Sequence, residues 1–408
     1  MAIAATTIWE CMQDATANMV NGGGFNATNA TPGTDYSQQT GAHLTITDLV
    51  IGADNTTVTS ALTAFDSVDP GNILHITAGT GFTVGWYEVV SVTGVVATLD
   101  RACGTATSTG GTAYLGGALS LNSTLDDDFF EQCMPGNIIY IKYNANSFNS
   151  GEELNIAIDG TAALPITVEG YNTTRGDNPT GTNRPTINGA ANLIIFDNFI
   201  ILRNLIITGT SAQVSRVDDS GIMENCKLTN TSATADRSAI YLGGNGARII
   251  NCEISSTNGN GIEFTASVMF IWGCYIHDSV IGIDFAGTDF SSVSFTIFDT
   301  CTTAIYSLLN STTNMISNCV IYHTAKTGTG INALSTGCFG WSIINNIITG
   351  WSVGVSFGDS QLNTYVDYND FYDNTTDVTN CTLGDHNIDV DPGFVDAPSG
   401  NFAITGDI

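Results

Sequence analysis

The sequence predicts an all-β solenoid: a right-handed, single-stranded parallel β-helix preceded by a β-rich N-terminal subdomain and a short capping helix. Three observations predict it. A short phrase recurs, with Leu205, Cys226, Cys252, Cys274, Thr296, Cys319, Asn346 and Asn369 at equivalent places, in steps of 21, 26, 22, 22, 23, 27 and 23 residues. A second series, Ile240, Ile262, Ile283, Ile305, Ile331 and Val355, keeps the same beat and usually follows a small residue. Both series are β-branched in texture and lack a 3.6-residue period, so each repeat reads as strands and not as helices.

The coils follow from the residues around these markers. Three places before each sits an apolar side chain, from Met223 and Ile249 to Ile343 and Val366, and two places after sits another, from Leu228 and Ile254 to Ile348 and Phe371. Inward positions stack on their copies one strand spacing away, about 4.8 Å, and build ladders. Asn204, Asn225, Asn251, Asn318 and Asn345 precede their markers, and Gly273 takes that place in one coil. These residue types tolerate a left-handed corner.

Toward the N-terminus, residues 1–117 are expected to form a capping or attachment region. A short strand near Ile8 and the turn-forming NGGGF and TPGTDY stretches come first. Between 41 and 117 the pattern changes to alternating strands without the later beat, which reads as a small antiparallel barrel or sandwich. Residues 118–135 are expected to hold the capping helix: Asp126 to Asp128 suit its first turn, Leu125, Phe129, Phe130 and Cys133 share a face, and Pro135-Gly136 stops it. Residues 136–408 are the β-helix, ending in an irregular coil over NIDVDPGFVD and GNFAITGDI.

Charge narrows the partners. With 39 Asp+Glu against 10 Lys+Arg the net charge is −29, which repels phosphate backbones, so no nucleic-acid partner is expected. No membrane insertion is expected either, because no run of about 18 apolar residues occurs. The opening MAIAATTIWECMQ has neither a basic region nor an adequate apolar run, which suggests cytoplasmic synthesis and release by a route other than the usual signal. The ten cysteines form no CxxC or Cys/His cluster, and four of them occupy an inward ladder as small apolar fillers. Free thiols are the expectation; stacked coils lie near disulfide range, so pairing stays open. No cofactor and no metal are expected.

The candidate site lies beside the second series. The residues following its markers, Tyr241, Glu263, Asp284 and Tyr306, should form an outward row that continues into Asn332 and Ser356. Glu263 and Asp284 would be about 5 Å apart, near the carboxylate separation of retaining glycosidases, and the tyrosines can stack on sugar rings. Two carboxylates among 39 can equally adjoin by chance. Other clusters read as turns: Asp218-Asp219, the Arg175-Gly176-Asp177 tripeptide inside NTTRGDNP, and Asp385, His386, Asp389 and Asp391, which could otherwise hold Ca²⁺. His277 and His323 occupy different offsets and are not expected to share a site.

The stretch from GNIIYIKYN through ITVEGYNTTRGDNPTGTNRPTING, the Asn-Cys coils and the ending NIDVDPGFVDAPSGNFAI resemble the pectate-lyase-like superfamily of parallel β-helix proteins. The opening TTIWE to HLTITDL, with GWYEVVSV and ATLDRACGTATSTGG, is similar to β-helix proteins carried in bacteriophage genomes. The resemblance implies a virion structural protein, a tail-associated spike or fibre or a head-decorating β-helix. Its implied partners are other virion proteins and host-cell polysaccharide, and its implied state is a homo-oligomer, most often a trimer. The alternative it implies is a tailspike-type polysaccharide depolymerase. The WIDH-like and RxPxxR-like motifs of pectate lyases are missing, and only Asp218-Asp219 echoes a polygalacturonase block.

Overall fold

The computed structural model describes residues 3–13, 19–25, 39–120, 132–149, 153–156, 158–359 and 363–405. Contacts divide the chain into two units, residues 1–188 with 199–206, and residues 189–198 with 207–408.

In the first unit six strands, Leu44–Ile51, Thr57–Thr59, Ile73–Ala78, Gly85–Thr93, Val96–Leu99 and Thr109–Leu115, close into a barrel in the order 1-2-5-4-3-6. Alternating side chains such as Ile46, Val58, Leu74, Val89, Leu99 and Leu115 fill its interior, so closure buries an apolar core and leaves no free strand edge. The expected antiparallel β region is therefore a barrel.

Strand Ile8–Met12 does not belong to it. Ile8–Met12 pairs in parallel with Ile138–Lys142, Ile8 opposite Ile138, and that strand continues to Ile166–Tyr171 and Ile200–Arg203. The boundary drawn at 117 thus fails to separate β-helix from barrel, because strand Ile8–Met12 lies in the sheet of the first coils. The NGGGF stretch gives a short strand, Gly24–Phe25, antiparallel to Ile8–Trp9. Gly22 presses on the barrel: a Cβ there would stand 1.9 Å from the Ile73 carbonyl oxygen. The predicted capping helix falls largely on residues 121–131, outside the described residues.

The second unit is built from three parallel sheets, one strand of each per coil. One contains Ile222–Glu224, Arg248–Ile250, Phe270–Trp272 and their successors to Tyr365–Asp367. A second contains Lys227–Asn230 to Asp370–Tyr372, and a third Ser238–Leu242, Asn260–Phe264, Ile281–Phe285, Thr303–Ser307, Thr329–Ala333 and Val353–Phe357. Both marker series point inward: Cys226, Thr296, Ile240, Ile262, Ile283 and Ile305 are 0% exposed. Nine cysteines are buried, Cys381 is half-buried, and all ten are free thiols. Where asparagine occupies the inward ladder its amide is bonded, Asn346 Nδ2 to the Ile316 carbonyl at 3.0 Å and Asn369 Nδ2 to that of Ile343 at 2.9 Å.

The corners obey the left-handed reading. Asn204, Asn225, Asn251, Asn318 and Asn345 have φ between 51° and 59°, and Gly273 has 66°. Phe295 and Tyr368 take the same conformation at 54° and 60° with no amide to favour it, and both rings are packed, Phe295 on Trp272 at 4.2 Å and Tyr368 flat on His386 at 4.4 Å. Asn318→Ala is expected to lose about 1 kcal/mol and Asn318→Gly almost nothing, read as urea midpoints. Equal losses would place the cost elsewhere than in backbone strain.

Small residues precede the second-series markers for a steric reason. A Cβ on Gly282 would meet the Ala304 carbonyl oxygen at 2.5 Å, and one on Gly261 the Gly282 oxygen at 2.7 Å. The chain's end departs from the expected irregular coil: isolated parallel bridges at Leu383 and Ile388 continue one turn, after which Phe394–Asp396 and Asn401–Ile404 form an antiparallel hairpin. Phe394 and Phe402 pack edge-on against Tyr322, which gives this hairpin an apolar seat.

Candidate functional site

Register in the third sheet decides where the candidate residues lie. Tyr241 pairs with Glu263, Glu263 with Asp284, Asp284 with Tyr306, and the line runs on through Asn332 to Ser356. Each follows a buried marker, so the two-residue strand period turns it to the outer face, where all four predicted residues are half-buried. Arg216 pairs with Tyr241 at the other end and lies over its ring, 6.0 Å from the centroid. The row therefore presents a guanidinium, a phenol, two carboxylates and a second phenol over neighbouring strands. The two tyrosines are three parallel spacings apart, about 14 Å.

The carboxylates have different surroundings. Glu263 Oε2 accepts a hydrogen bond from the Ser238 hydroxyl at 2.6 Å. Asp284 receives a long contact from Asn260 Nδ2 at 3.5 Å, and burial, with the Glu263 charge adding to it, pushes its carboxyl up to about 6. Tyr241 hydrogen-bonds Thr265 at 2.8 Å, which fixes its ring. A raised acid beside a second carboxylate is the arrangement that general acid chemistry needs.

This gives a linkage prediction. Because the Asp284 carboxyl is raised in the folded chain, the native state holds the extra proton between about pH 4 and pH 6, and stability falls as pH rises through that window. Asp284→Asn should raise the urea midpoint at pH 7.5 and leave it unchanged near pH 4. A midpoint unmoved at both values would remove the buried, crowded carboxyl from the account.

The other clusters resolve into local structure. Asp177 accepts the backbone N–H groups of Asn172, Thr173 and Thr174, and Arg175 binds Glu10 at 2.6 Å, so the Arg-Gly-Asp tripeptide is a turn tied inward. Asp218 takes Arg216 Nε at 3.0 Å, while Asp219 accepts the Asn245 N–H. His386 is engaged by Asp367 at 2.9 Å, and Asp391 accepts the Gly393 N–H. Asp385, His386, Asp389 and Asp391 do not converge on one ion position among the described residues.

A second cluster escaped sequence reasoning. On the outer face of the second sheet, His277, Asp299 and Tyr322 pair in register, with Glu253 and Tyr275 paired on the neighbouring row. The Tyr275 hydroxyl donates to Asp299 at 2.9 Å. Burial alone would lower His277, but Glu253 and Asp278 outweigh it and raise its pKa. His277 first, then Lys227 at 2.6 Å, overcome burial to hold Glu253 at about 2. Burial raises the Asp299 carboxyl, against which the Tyr275 hydrogen bond and the charges of His277 and His323 act. A cleft of about 500 Å³ between Tyr322, His323, Tyr372 and the terminal hairpin opens beside them. The signal lay in the residue one place beyond each inward side chain of that sheet, three places past the aligned markers Cys274, Thr296 and Cys319.

Stacked parallel sheets of this kind define the class, a right-handed parallel β-helix. Residues 205–371 match the family model described as the right-handed β-helix region. Among solved structures, the Dettilon tailspike protein gp208 is similar at 14% identity over 61% of this chain and 53% of its own, with TM-score 0.46. Pectate lyase Pel9A is 13% identical over 67% of this chain and 78% of its own, TM-score 0.37. The tailspike gp61 of Pseudomonas phage phi297 is 14% identical over 84% and 52%, TM-score 0.32. The chain spans about half the length of each tailspike. No curated protein matches the sequence. Among the described residues no helix is long and apolar enough to cross a membrane.

Proposed function

We propose that this β-helix is a bacteriophage virion component that binds a host surface polysaccharide along the outward row of its third sheet. The observation that carries the reading is the in-register line of Tyr241, Glu263, Asp284 and Tyr306, two rings flanking two carboxylates on a straight face. Flat phenols offer apolar faces to pyranose rings, and the carboxylates accept hydrogen bonds from hydroxyls. The likeness of residues 1–117 to phage-borne proteins supports attachment to the particle and association with other virion proteins, and the likeness to phage spikes supports a homotrimer. Calorimetry with purified host polysaccharide tests the binding face: Tyr241→Ala with Tyr306→Ala should weaken it at least tenfold, and unchanged affinity would discard the row. Mass spectrometry of purified particles tests the placement, which fails if the chain is missing from them.

The raised Asp284 carboxyl favours a second reading, a polysaccharide depolymerase in which Asp284 protonates the leaving oxygen and Glu263 acts as the nucleophile or electrostatic partner. Glu263→Gln is then expected to cut release of reducing ends by at least about 100-fold, with wild-type activity falling as pH rises past about 6. Equal rates in both proteins would take catalysis away from this pair.

A further inference from the structure

His43, Asp66 and Asp69 each offer one ligand atom within 4.8 Å of the other two. His43 directly precedes barrel strand Leu44–Ile51, and the two aspartates lie in the loop leading to Ile73–Ala78. That loop is held by its own bonds: Asp66 N–H donates to Asp69 Oδ2, Val68 N–H to Asp66 Oδ1 at 2.8 Å, and Asn72 N–H to the Asp69 carbonyl at 3.0 Å.

These bonds leave Asp69 Oδ1 unexplained. Asp69 is 0% exposed, and its Oδ1 is buried and accepts no hydrogen bond. It faces His43 Nε2 at 3.6 Å, beyond hydrogen-bonding distance. A buried carboxylate oxygen with no donor is costly. The separation is close to what two ligands of a single ion keep, about 3.4 Å for bonds near 2.1 Å in tetrahedral geometry.

We propose that His43 Nε2, Asp69 Oδ1 and an Asp66 carboxylate oxygen form a binding site for a divalent cation of the zinc class, which ties the loop to the first barrel strand. An imidazole with two carboxylates suits a borderline ion such as Zn²⁺ or Co²⁺, whereas Ca²⁺ takes six to eight oxygens. Imidazole and carboxylate both bind such an ion in their deprotonated forms, so protons compete with the metal in acid. The site is independent of the glycan-binding row, and no spacing motif announces it, because its ligands are brought together only by barrel closure.

The test is calorimetric titration of chelator-treated full-length chain with Zn²⁺, in about 0.15 M salt to screen the acidic surface. Melting curves and Co²⁺ absorption accompany it, on wild type, His43→Gln and the exposed Asp66→Asn. One Zn²⁺ per chain, a Tm that rises on adding it, a Co²⁺ d–d band, and at least tenfold weaker binding in both variants are expected. No saturable binding, or equal affinity in wild type and His43→Gln, would overturn the site and leave an ion pair and a diffuse acidic surface. Displacement of Zn²⁺ by equimolar Ca²⁺ would overturn the assigned class.

Discussion

Ile262→Asp should lose about 5 kcal/mol or more of stability, while Glu263→Gln, one residue on, should stay within about 0.5 kcal/mol of wild type. Ile262 is 0% exposed and stacked between Ile240 and Ile283 in consecutive coils. An aspartate there loses the burial of the isoleucine side chain and sets a carboxylate in an apolar column with no cation to meet it. Its pKa would rise, so the deficit grows as pH increases and shrinks in acid. Glu263 faces the other way, and glutamine still accepts the Ser238 hydroxyl. Urea midpoints of the two variants at pH 7.5 and pH 4 check the pair of statements. An aspartate variant that unfolds with wild type would mean that the ladder does not carry the core.

That contrast between neighbours is also why so much of the molecule could be read from its sequence. The inward ladders, the left-handed asparagine corners and the outward row from Tyr241 to Tyr306 are local consequences of a repeat near 22 residues, and each coil reports the same rule again. What could not be read lacks repetition. The strand Ile8–Met12 finds its partner Ile138–Lys142 across 130 residues, and nothing in IWECM encodes that choice of partner. Barrel order 1-2-5-4-3-6 is equally silent, since alternation specifies faces and not neighbours. The hidden corners at Phe295 and Tyr368 are held by ring contacts that no propensity describes. His277, Asp299 and Tyr322 stand three places past the aligned Cys274, Thr296 and Cys319, a row that the repeat held but that no shared residue type marked, whereas His43 met Asp69 only when the barrel closed.

The long-range join of the first unit supplies the second large effect: Arg175→Met should cost about 3–5 kcal/mol. Glu10 is 0% exposed, and its carboxylate takes Arg175 Nη2 at 2.6 Å, Arg175 Nε at 3.1 Å and the Tyr171 hydroxyl. Arg175 also covers the Tyr140 ring at 4.7 Å, and Tyr140 stands opposite Glu10 in the sheet. Methionine keeps much of that packing and removes both charge-assisted bonds, so the buried carboxylate loses its cation. Glu10→Leu combined with Arg175→Met should recover most of the loss, because no charge then remains to be desolvated. Hydrogen exchange localises the effect: in Arg175→Met the amides of 8–12 and 138–142 should lose protection before those of Ser238–Leu242 and Asn260–Phe264. If protection falls evenly, or if the double variant is no more stable than the single, the ion pair is not what fastens the first strand to its sheet.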